Sequence, residues 1–162
     1  MKIILFLLLS LPFLSQASID VAFIEMRNYQ GQIIQLEPGG QFAHIAISYQ
    51  GAWLHSHPWR GVEIVSQSEL EKIGSIKAVI HLPDRKDLSE DQIRPYLHKN
   101  YDPEFSWSDD KIYCSELVAK ILGIPPQPMS FEAAYWQNKF QDLNGSLGLS
   151  PDDIYKYLQS HR

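Results

Sequence analysis

Cys114 is the sequence's one thiol, and its place in the chain suggests a use for it. It opens the run CSELVAKILG, residues 114–123. There Leu117, Val118, Ile121 and Leu122 make one apolar stripe at helical spacing, and Gly123 is a natural stop. The thiol therefore sits in the first turn of a predicted helix. Free N–H groups and the helix dipole favour a thiolate there. The same N–H groups can hold a negative oxygen that forms beside the sulfur. With a base in reach, such a cysteine is suited to attack on a carbonyl carbon. A small buried residue at a helix start is the plainer alternative.

The base has to be a histidine. His44 lies in FAHIAIS, where alternation puts Phe42, His44 and Ala46 on one face and Ala43, Ile45 and Ile47 on the other. In so apolar a strand, a histidine is either a satisfied core residue or a positioned base. His55, in WLHSHP, stands on the next strand, across a hairpin marked by Gln50-Gly51. From there it can hold one nitrogen of His44 and leave the other for the thiol proton. His57 shares the parity of His55 but sits beside Pro58, at the expected rim. His44, His55, His57 and Cys114 could also offer zinc three or four ligands. The spacing lacks paired cysteines and a His-Glu-x-x-His helix, so the expectation is no metal and no cofactor. Tyr113, next to the thiol, is the one aromatic singled out as a site wall. Glu116 is expected to steady the first helical turn and pair with Lys120 at i,i+4.

These residues need a sheet and a helix to hold them. Residues 20–27, 32–37, 42–50, 52–57, 61–66 and 75–82 read as strands, rich in Val, Ile and aromatics and punctuated by glycine. Helices are predicted from Ser66 or Ser68 to Gly74, over 89–100 with Pro95 as a kink, over 114–123, over 130–140, and over 150–161 with Ser150 as cap. Strands followed by helices indicate an α+β fold, a mostly antiparallel sheet packed against helices. The proline-rich loop 124–129 is placed to act as a lid over the site.

Residues 1–17 carry the grammar of a secretory signal peptide: Lys2, an apolar run, and small residues ahead of a cut near Ala17. The run is too short for a stable membrane span. Residues 18–162 are then expected to form one domain, periplasmic or secreted. Without Lys2 the chain has 13 basic and 19 acidic side chains. No Lys/Arg cluster appears, which excludes nucleic acid as a partner. In an oxidising compartment a lone cysteine is either inert and buried or a deliberate reactive thiol.

The runs FAHIAISY, LHSHPWRGVEIV and YDPEFSWSDDKIYCSELV resemble the permuted papain-fold cysteine hydrolases of the YiiX/YaeF type, relatives of NlpC-type cell-wall peptidases. In that group the histidine strand precedes the cysteine helix, the order found here. The resemblance implies a permuted papain-like (NlpC-related) fold with Cys114 as nucleophile, His44 as general base and His55 as the orienting third residue. Many relatives carry a glutamate or another polar residue at that third position; His57 is the reserve here. The implied activity is acyl transfer to water through a thioester, on peptide amides such as cell-wall fragments. Relatives around lecithin-retinol acyltransferase imply an alternative, a lipid-directed acyl hydrolase or acyltransferase, which a wide apolar cleft would favour over a narrow polar one. A non-catalytic binding or zinc-binding protein is the third possibility.

Overall fold

The computed structural model describes residues 18–161, so the leader expected at 1–17 lies outside the described residues. Five antiparallel strands form one sheet in the order β4-β3-β2-β1-β5: β1 (Ile19–Glu25), β2 (His44–Tyr49), β3 (Ala52–His57), β4 (Gly61–Val65) and β5 (Ser75–Leu82). β1 is an interior strand, between β2 and β5, and is buried on both faces. Val21 and Phe23 join the main core with Ile45, Ile47 and Leu54, while Ala22 and Ile24 pack with Ala46 and Leu70 on the other face. Leu70 belongs to α1 (Gln67–Leu70), capped by Ser66.

The main core is closed by α3 (Cys114–Leu122), which lies across β2 and β3. Leu117 and Val118 are fully buried, so the apolar stripe does what its spacing predicts. α4 (Pro151–Ser160) packs on α3 and inserts Tyr155 edge-on against Phe23, with ring centroids 5.0 Å apart. A two-stranded ribbon, β6 (Gln127–Pro128) with β7 (Leu147–Gly148), follows α3. The β3–β4 turn is tight: Gly61 takes φ +72° and a Cβ there would meet the Lys99 carbonyl oxygen at 2.1 Å.

Three predicted elements differ. Residues 32–37 form no strand and contribute only one bridge, between Arg27 and Ile33. Both edges of β1 are already taken by β2 and β5. The chain also turns at once, because Asn28 Oδ1 accepts from the N–H groups of Gln30 and Gln32. The helix of 89–100 survives only as α2 (Glu90–Ile93). Pro95 has no N–H to continue it, and its ring crowds the carbonyl one turn back. The helix of 130–140 is a single 3-10 turn, Ala134–Trp136, followed by left-handed Gln137, Asn138 and Phe140. Phe131, Trp136 and Phe140 all enter one aromatic cluster with Phe105. On a helix Phe131 and Phe140, nine residues apart, would point to opposite sides. Burying both requires breaking the helix.

Candidate active site

The β2–β3 ladder pairs Tyr49 with Ala52, Ser48 with Trp53 and Ile47 with Leu54, and pairing ends there. Beyond it the two strands part, and the N-terminus of α3 sits beside both. Ser56 Oγ donates to the carbonyl of Ile112 at 2.7 Å, two residues before the cysteine. Backbone N–H groups of Ile45, Ser115 and Cys114, with the Ser115 hydroxyl, favour the thiolate form of Cys114. Ser115 Oγ donates to the Leu149 carbonyl at 2.6 Å, fixing the helix start from its other side. Glu116 is fully buried rather than turned to solvent. It accepts from the Tyr113 N–H at 3.4 Å and pairs with Lys120 at 2.9 Å, as its spacing predicts.

His44 and His55 are both buried, and His44 Nε2 lies 2.9 Å from His55 Nδ1. Extending the ladder register would set His57 opposite His44 and Ala46 opposite His55. The small Ala46 leaves room for His55 to reach diagonally to His44. His57 does not make that contact: its Nδ1 accepts from the Trp59 N–H at 3.1 Å and so braces the β3–β4 turn. Behind His55, its Nε2 stands 3.2 Å from Glu63 Oε1, without the alignment of a full hydrogen bond. Glu63 is in turn clamped by Arg60, with contacts of 2.6–2.9 Å. The Phe42 side chain leaves the His44 face and packs with Phe23, because it precedes the strand and follows no alternation.

Burial dominates the electrostatics. It pushes the Cys114 thiol up to about 11, against the downward pull of the surrounding N–H groups. The expectation of a lowered thiol pKa from the helix start alone is therefore corrected. Desolvation also holds His44 well below its ordinary value, with His55 and His57 adding to the effect. It takes His55 down to about 4, although Glu63 pulls upward. At neutral pH the thiol and the His44 imidazole are thus both uncharged.

Cys114, His44 and Tyr113 line one cavity of about 560 Å³, within the range of small-molecule sites. Its wall is largely apolar, with Leu36, Phe105, Phe131 and Trp136 prominent. Tyr113 is a wall residue whose hydroxyl accepts from the Leu149 N–H at 3.3 Å. Pro128 and Met129 of the proline-rich segment also line the cavity, tied down by the β6–β7 pair. Tyr101, not separated from the other aromatics by sequence, lines it too, its phenol held protonated first by burial and then by Cys114.

Sequence reasoning missed Glu63, which counting along the hairpin would find, since it is the ladder partner of His55. It also missed Asp152. That buried carboxylate, at the start of α4, accepts from the N–H groups of Gln41 and Phe42 at 2.9 and 3.1 Å and pins the entry to the His44 strand. No local signal announces a contact across 110 residues.

The chain is similar in fold to the metalloprotein YiiX of Escherichia coli O157:H7, with a TM-score of 0.61 and 22% identity over 86% of this chain and 91% of that one. No family model matches the chain, and no curated protein does. The fold is thus YiiX-like. The two inner histidine nitrogens face each other at 2.9 Å as a hydrogen-bonded pair, which leaves neither free to hold a metal. Among the described residues no three His, Cys, Asp or Glu side chains converge as a metal cage. Among the same residues no helix is long and apolar enough to cross a membrane.

Proposed function

We propose that this chain is an exported cysteine hydrolase of permuted papain-like architecture, with Cys114 as nucleophile, His44 as base and His55 as the residue that orients it. The observation that carries the reading is that a helix-start thiol and His44, itself paired with His55, line one cavity. Because thiol and imidazole are both neutral at rest, the proton moves as the sulfur attacks. His44 Nδ1 accepts the Cys114 proton, the carbon–sulfur bond forms, and the N–H groups at the start of α3 receive the oxyanion. The leaving group departs with the proton from His44. Water, activated by the same nitrogen, then cleaves the thioester and restores the thiol.

The cavity wall favours an apolar acyl group over a polar peptide as the part of the substrate held beside the thiol. The peptidase reading remains the second one, supported by the neutral thiol–histidine pair common to both. Both are tested on a ladder of p-nitrophenyl esters and p-nitroanilides with acyl chains from acetyl to dodecanoyl, and with short peptidyl groups. Intact-mass spectra should show an acyl adduct on Cys114, absent in Cys114→Ala, forming faster as the chain lengthens. Preference for peptidyl groups would replace the acyl reading. No adduct with any probe, or zinc bound stoichiometrically after purification, would overturn the hydrolase.

A further inference from the structure

We infer that Glu63, held by Arg60, is a positioning residue that selects the histidine tautomer able to accept the Cys114 proton. This deepens the hydrolase reading above and rests on it. Only one proton fits on the 2.9 Å line between His44 Nε2 and His55 Nδ1, and it can belong to either ring. If His55 owns it, His44 must carry its own proton on Nδ1, and that nitrogen cannot act as a base. If His44 Nε2 owns it, Nδ1 is bare and ready.

Glu63 separates the two cases. A carboxylate can only accept, so Oε1 at 3.2 Å favours a proton on His55 Nε2. That nitrogen is buried and has no aligned partner among the described residues, which leaves Glu63 as its nearest acceptor. A neutral imidazole has one proton, so His55 Nδ1 is then bare and must accept. The shared proton falls to His44 Nε2, and Nδ1 is left for the thiol.

Arg60 keeps Glu63 in its accepting form, chiefly through the hydrogen bonds from its guanidinium. His57 also lies near these side chains, its Nδ1 committed to the Trp59 N–H, and Glu69 acts on Arg60 from α1. When His44 takes the thiol proton, its Nε2–H still donates to His55 and no proton passes to Glu63. The hairpin register supports the assignment: His55 and Glu63 are direct ladder partners, so the contact follows from backbone pairing rather than a chance rotamer.

The test is long-range ¹H–¹⁵N correlation of the histidine rings, with acylation rates alongside, in the protein and in Glu63→Ala and Glu63→Gln. The expected wild-type spectrum shows His44 protonated on Nε2 and bare on Nδ1. Glu63→Ala should shift His44 towards the Nδ1–H form and slow Cys114 acylation about 10- to 100-fold, the range expected when a buried polar group loses its nearest partner. Glu63→Gln, whose amide oxygen still accepts, should keep the tautomer and lose less. An unchanged His44 tautomer in Glu63→Ala overturns the inference. The spectra answer even if no probe acylates Cys114, so failure of the tautomer device and failure of the hydrolase reading are distinct results.

Discussion

His44, His55 and Glu63 stand on three neighbouring strands, each placed by ladder register, whereas the cavity wall of residues 127–149 is built from two 3-10 turns, left-handed residues and two-residue strands. The first region fixes ring against ring at 2.9 Å. The second fixes only a shape, with Phe105, Phe131, Trp136 and Phe140 holding one another at centroid distances of 5.2–5.7 Å. Proton transfer tolerates little misplacement, so its groups belong on rigid elements. A wall that selects by bulk and polarity can be irregular, provided its side chains are packed tightly enough to offset the strained backbone.

The comparison breaks first at His44. His44→Ala should lower the acylation rate about 10²- to 10⁴-fold, the usual contribution of a positioned base. Its melting curve should move far less, because a small side chain next to Ala46 leaves the ladder intact. The wild-type rate should rise through an acid limb centred below 6.5, since burial lowers the His44 pKa, then stay level until the thiol ionises near 11. A profile that instead tracks a thiolate below 8 would mean the site holds a preformed ion pair.

The wall is attacked at Trp136, which is buried in the aromatic cluster and donates from Nε1 to the Leu36 carbonyl at 2.7 Å. Trp136→Ala should cost about 3–5 kcal/mol in urea unfolding. Acetyl transfer to Cys114 should persist while the gain in rate with acyl chain length disappears. Equal loss for acetyl and dodecanoyl probes would show that the wall also positions the histidines, erasing the division between the two regions.

That division also explains what the sequence revealed. The strands around His44, His55 and Glu63 were legible because alternation and the Gln50-Gly51 turn are local, and the α3 helix because its stripe is continuous. The hairpin places His55 next to His44 within one local turn, whereas Glu63 becomes visible only by counting through the next turn to the residue opposite His55. The wall was misread as a helix because its aromatics are spaced for convergence in space rather than along a helical face. The thiol pKa was misjudged because helix position is written in sequence and burial is not.

Asp152 joins the two regions, and a smaller effect is expected there. Its carboxylate accepts two backbone N–H groups ahead of β2, and a Cβ on Gly40 would sit 2.8 Å from Oδ2, so the fit is close. Asp152→Ala should destabilise the protein by roughly 1–3 kcal/mol, the cost of leaving buried N–H groups unpaired. Acylation should slow several-fold through the His44 strand, with the tautomer unchanged. A full-rate variant would show that the ladder alone holds His44.

The smallest effect concerns the cysteine side. Burial raises Glu116 to about 7, although Lys120 at 2.9 Å pulls it down. A carboxyl whose folded pKa exceeds its unfolded value binds its proton more tightly in the folded state. Its contribution to stability is therefore full below 4.5 and is lost as pH rises through about 7. Glu116→Gln keeps the protonated shape and removes the titration. Urea midpoints taken between about pH 5 and pH 8 should fall with pH in the wild type and less steeply in the variant, with the difference gone when both are compared at the acid end. Parallel curves would mean that the Lys120 contact outweighs burial and that Glu116 is already ionised throughout. The start of α3 would then be held by an ion pair, a rigid anchor of the kind the strands supply on the histidine side.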